Sequence, residues 1–126
     1  MRSRNFALIG AAALAVSLSA LPASAHHGWG GQATSFSDMT GTVVQGVSLA
    51  GPHATMKVTA ADGQVWDVVL APGGRTQAAG LKEGIIPVGA KVMLHGHRHL
   101  TATKYEIKTE RVTWNNRVFN VYPDRN

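Results

Sequence analysis

The sequence predicts a small all-β protein with one short helix, an OB-like barrel of five to six strands. Three observations predict it: short segments that alternate apolar and polar residues, Gly- and Asn-containing turns between them, and the order three strands, helix, two strands. A fragment of a β-sandwich contains the same pieces. The barrel is preferred because a closed sheet needs no second layer.

The chain opens with Arg2 and Arg4 in a short basic stretch, then an Ala- and Leu-rich apolar run from Phe6 to Pro22, ending in Ala23-Ser24-Ala25. This is the pattern of a signal peptide over residues 1–25. The run is short for a bilayer span and is followed by a small-x-small cleavage site, not by a basic flank. Cleavage after Ala25 would leave a mature chain that starts at His26 with a free α-amine. No cysteine is available for a lipid anchor. The expected location is therefore periplasmic or secreted, in a bacterium, with no membrane contact after cleavage.

Residues 26–39 form a His- and Gly-rich arm whose large apolar residues are Trp29 and Phe36. Those two aromatics are expected to tie it down, because a terminus without apolar anchors stays mobile. The barrel is assigned to residues 40–126. Its first strand, Gly41 to Leu49, is rich in β-branched residues and ends at Gly51-Pro52. Ala54 to Thr59 and Gln64 to Leu70 alternate around Ala61-Asp62-Gly63, a hairpin signal. Pro72-Gly73-Gly74 ends that hairpin, and Arg75 to Glu83 has helix-forming composition, with Gly84 closing the helix. Lys91 to His99 and Lys104 to Trp114 are the fourth and fifth strands, and Asn115-Asn116 turns the chain into a short last strand from Arg117 to Tyr122.

After removal of the signal, one small domain with a single modest core remains. The formal charge of +5 includes Arg2 and Arg4, and the remaining Lys and Arg are dispersed, so charge does not point to nucleic acid or to a membrane surface. With cysteine absent, the domain holds by packing alone. Any metal site must use nitrogen, oxygen or thioether sulfur.

All six histidines follow the signal. At His26 the amine and ring can close on one metal ion, and His27 adds a second imidazole beside them. His53, in Gly51-Pro52-His53-Ala54, sits where a proline sets the approach to a strand, and reads equally as a ligand or as a turn histidine bonded to a carbonyl. Met93, His95, His97 and His99 occupy alternate positions of the fourth strand and share one face. Val92, Leu94 and Gly96 would then point inward and the histidines outward. Ring-bearing positions two apart on a strand are about 6.5–7 Å apart at Cα, so two can converge on an ion but a straight row of three needs a bend or a second strand. The plainer reading is a solvated, mildly basic strand face.

Ala25-His26-His27-Gly28, Gly41-Thr42-Val43, Gly51-Pro52-His53-Ala54, Asp62-Gly63 and the strand from Val88-Gly89 to Gly96 together resemble a group of small secreted bacterial proteins classed only as a domain of unknown function. The likeness covers nearly the whole mature chain. Members typically carry Ala-His-His-Ser and Asn-Pro-His-Ala, from which this chain departs at Gly28 and Gly51. The resemblance implies a secreted small β-domain and draws attention to His26, His27 and His53, without implying an activity. The run His95-Gly96-His97-Arg98-His99 is an elaboration of this chain.

Copper(II) heads the divalent affinity series and suits a nitrogen-rich site with an amine, whereas zinc prefers a tetrahedral set often completed by thiolate or carboxylate. Met93 or Met56 could hold copper(I). The ligand set of an amine and two imidazoles resembles the histidine brace of copper oxygenases and of some non-catalytic copper proteins. The expected function is copper binding for buffering, delivery or tolerance, exchanging metal with a periplasmic donor or acceptor protein. His26 with His27 or His53 would form the first site, and the His95, His97 and His99 row, with Met93, a weaker second site or transfer surface. Three other readings stay open. An OB-type module for an oligosaccharide or protein would need Trp66, Trp114 and Tyr105 on an exposed face. A copper-dependent oxidase or oxygenase would need an open coordination position. A structural envelope protein would need neither.

Overall fold

The structure, a computed structural model, describes residues 29–125; the expected signal peptide, its cleavage site, His26 and His27 lie outside them. Six strands and one short helix follow in order: β1 (Ser37–Ser48), β2 (Thr55–Thr59), β3 (Val65–Val69), α1 (Gly73–Ala78), β4 (Lys91–Arg98), β5 (Glu106–Trp114) and β6 (Arg117–Asn120), with a closing 3-10 turn at Pro123–Arg125. The sheet runs β3-β2-β1-β4-β5-β6, and a parallel pairing of β3 with β5 closes it into a five-strand barrel that leaves β6 as one extra strand. The closed order, with α1 between β3 and β4, is that of the small OB-like barrel expected.

Closure depends on β1 serving two neighbours. Its first half pairs with β4, from Ser37 opposite Gly96 to Thr42 opposite Lys91, and its second half pairs with β2, from Thr42 opposite Thr59 onward. The strand changes partner at Thr42, next to Gly41, where an added Cβ would lie 2.8 Å from the Val58 side chain. Two register shifts follow, between Val43 and Ser48, and coil the second half around the barrel. The ladder to β4 also corrects the expected boundary between arm and barrel: β1 begins at Ser37, inside the stretch assigned to the arm, because β4 offers it a continuous row of backbone partners.

Inward alternation builds the core. Val43, Met56, Val58, Val68, Leu94, Ile107 and Val112 are fully buried, joined by Leu81 and Ile86 from the α1–β4 connection. Helix α1 is shorter than expected and displaced toward the N-terminus. Gly80, at φ +95°, reverses the chain one residue after the C-cap, so the helix ends there and not at Gly84. Thr76 anchors it by donating to the Ala71 carbonyl at 2.8 Å. The last hairpin turns through Asn115 (φ 52°) and Asn116 (φ 61°), the paired left-handed conformation that a two-residue turn requires. The free outer edge of β6 is only four residues long, which limits unwanted strand addition.

Candidate metal centre

The histidines of β4 do share the outward face of the barrel, but water is not what meets them. The arm does. Phe36 stacks on His95 with ring centroids 4.4 Å apart and planes 18° from parallel, and it lies 4.4 Å from His97. Trp29 meets His97 edge-on at 5.4 Å and Tyr122 at 5.2 Å. Backbone bonds fasten the arm between these rings: Ala33 N–H donates to the Arg98 carbonyl at 2.8 Å, and Leu100 N–H donates to the Gly31 carbonyl at 2.9 Å. Both expected anchors are therefore in place. The solvated-face reading is corrected at its centre, where His97 is only 5% exposed.

His95 and His97 on β4, and His99 just past its end, each have their own partner. His95 donates from Nδ1 to Asp38 Oδ1 at 2.6 Å, beside a shallow groove lined by Met93, Arg111 and Val118. His97 donates from Nδ1 to the Ala33 carbonyl at 2.8 Å, and its Nε2 lies 3.5 Å from Glu110 Oε1 without forming a hydrogen bond. His99 accepts the Thr101 N–H at Nδ1, 3.0 Å away, which puts the proton of its neutral ring on Nε2, 4.0 Å from Glu106 Oε2. Met93 is half-exposed on the same face. Among the described residues no three His, Asp or Glu side chains form a group able to hold a metal ion. The row thus serves as the bed on which the arm lies.

Beneath the arm lies a charged cluster. Glu110 is fully buried and accepts Arg125 Nε–H at 2.8 Å on Oε1, while its Oε2 has no partner. A shift in the β4–β5 register produces this geometry: His95 faces Arg111 and Gly96 faces Thr109, so Glu110 is the extra residue between them. Trp29 caps the cluster, with the Arg125 guanidinium 4.0 Å and the Lys108 ammonium 4.6 Å from its ring. Burial, above all, lowers the Lys108 pKa; Glu106 opposes the shift and Arg125 adds to it. Burial likewise raises that of Tyr122, against the pull of Arg75 and Arg125.

His53 belongs to this neighbourhood. Across the outer face, Thr55 pairs with Val69, Val69 with Lys108, and Lys108 with His97. His53 precedes Thr55 by two residues and is partly buried. Its pKa is lowered by burial first and by the Lys108 charge second. A ring held neutral in this way meets less competition from protons when it binds a cation. The sequence reading missed Asp38, Lys108, Glu110 and Arg125. A signal existed for part of this set, because Glu106, Lys108 and Glu110 alternate along one strand as the histidines alternate along its neighbour. Arg125 had none.

The aromatics needed for an exposed OB-type binding face are arranged differently. Trp66 is 5% exposed and covered by Arg98, Trp114 packs against the core, and only Tyr105 stands out at 40% exposure. No helix among the described residues is long and apolar enough to cross a membrane.

No family model matches the chain, and no curated protein matches it significantly. Among solved structures, the chain is similar to the ZRD-deleted mutant of TiaS crystallised in complex with agmatine, at 12% identity and a TM-score of 0.49. The alignment covers 63% of this chain and 21% of that one, so this chain spans about a fifth of its neighbour's length. A likeness at this level carries no functional argument.

Proposed function

We propose that this is a secreted or periplasmic copper-binding protein that buffers, delivers or detoxifies the metal. In this reading the α-amine and ring of His26 chelate copper, and the imidazoles of His27 and His53 complete the site. The observation that carries it is the seat of Trp29. That ring is held over Lys108 and Arg125 on the part of the barrel where the Lys108 charge also reaches His53. Three peptide units join His26 to Trp29, so covalent geometry keeps the two Cα atoms within about 11 Å. The lowered His53 pKa supports the reading further. The β4 histidines, engaged with Asp38, Ala33 and Thr101, contribute by holding the arm; His95, beside Met93, remains the member of that row suited to a transfer contact with a partner protein.

Lys108 opposes a dication at His53. Affinity must therefore come from chelation, and a test follows from each half of that statement. Mass spectrometry of the secreted protein should find its N-terminus at His26. One Gly placed before His26 preserves every histidine and a free amine but separates that amine from the ring. Copper(II) affinity should fall by at least about tenfold, or about 1.4 kcal/mol, with an unchanged circular dichroism spectrum. His53→Ala should weaken binding and Lys108→Met should strengthen it. Unchanged affinity in the Gly-extended protein would remove the terminus from the site and end this proposal.

A further inference from the structure

A second feature lies where β4 runs into β5. The loop after Arg98 folds over the end of the barrel and leaves a cleft of about 240 Å³, lined among others by Trp66, Arg98, His99, Thr101 and Lys104. Arg98 is stacked on the Trp66 ring, its guanidinium carbon 4.3 Å from the centroid, and Tyr105 meets the same indole edge-on at 5.4 Å. The guanidinium thus sits over a buried ring. A guanidinium held over an aromatic ring keeps N–H donors for a further partner. Among the described residues Arg98 has no carboxylate within ion-pair distance and no side-chain hydrogen bond.

Glu106, which reaches two of the lining residues, is engaged elsewhere. Glu106 Oε2 accepts Gln32 Nε2–H at 3.2 Å on the side of the arm, and it also lies 4.0 Å from His99 Nε2 and 3.9 Å from Lys104 Nζ. Of the two full positive charges lining the cleft, Lys104 therefore shares Glu106 with Gln32 and His99, and Arg98 has no carboxylate within ion-pair distance. A guanidinium held over the indole, with Lys104 and Thr101 in the same lining, matches the charge and donor chemistry of a tetrahedral or planar oxyanion. The cleft is smaller than pockets that enclose drug-sized ligands, at roughly 300 Å³ and above, so it suits an anionic group and not a large molecule. A sugar ring stacked on Trp66 is excluded while Arg98 covers the indole.

We propose that this cleft binds a small oxyanion, the phosphate of a phosphate ester or a carboxylate, with Arg98 as the bidentate donor and Lys104 as the second charge. Its lining shares no residue with the proposed copper ligands.

The test is a nuclear magnetic resonance titration of the Arg98 side-chain Nε–H signal in the full protein. Inorganic phosphate and acetate serve as the two probes, with ionic strength held constant by chloride. A saturable shift with either probe supports the site, and the stronger probe tells phosphate from carboxylate recognition. Arg98→Lys keeps the charge but loses the fork and the reporter with it; followed instead at the Trp66 indole N–H signal, it should weaken binding by at least about fivefold. Lys104→Gln, at an exposed position that leaves Trp66 covered, should weaken it by about threefold or more and guards against misfolding of the Arg98 variant. A shift that grows linearly without saturation, or one matched at the exposed Arg117, would overturn the proposal. So would unchanged affinity in Lys104→Gln together with Arg98→Lys.

Discussion

Gly96→Ala would put a methyl group where β5 already runs. A Cβ built on Gly96 lies 2.2 Å from the Lys108 carbonyl oxygen, 2.7 Å from Thr109 Cα and 2.9 Å from the Lys108 carbonyl carbon, all backbone atoms that no rotamer change can move. Ordinary contact requires about 3.5 Å, so β4 and β5 must part locally by about an ångström. Ladder bonds near 2.9 Å would stretch toward 3.9 Å and cease to be bonds. Losing two of them costs about 1–3 kcal/mol, and crowding in the buried β4–β5 seam adds about 1–3 kcal/mol. The stiffer unfolded chain returns about 0.4–1 kcal/mol. The net loss, about 3 kcal/mol at the middle of these ranges, corresponds to a fall in Tm of roughly 12–24 °C for a domain of this size. Gly74→Ala in α1 is the matched control: nothing lies within 4 Å of its Cβ position, and alanine favours the helix, so its Tm should hold or rise. Thermal unfolding followed by circular dichroism compares the two. A Tm for Gly96→Ala within about 2 °C of the parent would refute both the close approach and the register shift built on it.

Trp29→Ala should remove the cap from the Lys108–Glu110–Arg125 cluster. The lost burial and two cation–π contacts predict a loss of about 2–4 kcal/mol in urea unfolding; a change below about 0.5 kcal/mol would mean that the arm is not docked. Lys108→Met should raise the His53 pKa, read from its ring proton shifts, because one of the two causes of its depression is gone; an unchanged titration would leave burial as the sole cause. The same depression sets a sign for stability. Between the lowered folded pKa of His53 and the unfolded value of about 6.5, the unfolded chain binds more protons, so stability contributed by this group falls as pH falls through that window and is restored above it. Lys108→Met should narrow that window, and denaturant midpoints measured across pH 5–7 report it.

The sequence alone determined what is set over short stretches of chain. Alternation marked the strands, because backbone pleating imposes a period of two on any half-buried segment. Asn115-Asn116 marked a tight turn, since few other residues accept two successive left-handed conformations. Trp29 and Phe36 marked an arm that docks, because nothing else in it could bury apolar area. Even the outward direction of His95, His97 and His99 followed from counting along β4. Tertiary structure decided what those side chains meet. His97 bonds to Ala33, 64 residues away, and His95 bonds to Asp38, 57 residues away. Those meetings depend on β1 pairing with β4 and on the parallel closure of β3 with β5. The register shift that leaves Glu110 unpaired and turns it beneath the arm is likewise a property of two strands together. A local period fixes which face a residue takes. Only the order and offset of strands fix its neighbours, because those contacts join positions whose separation in sequence carries no repeating signal.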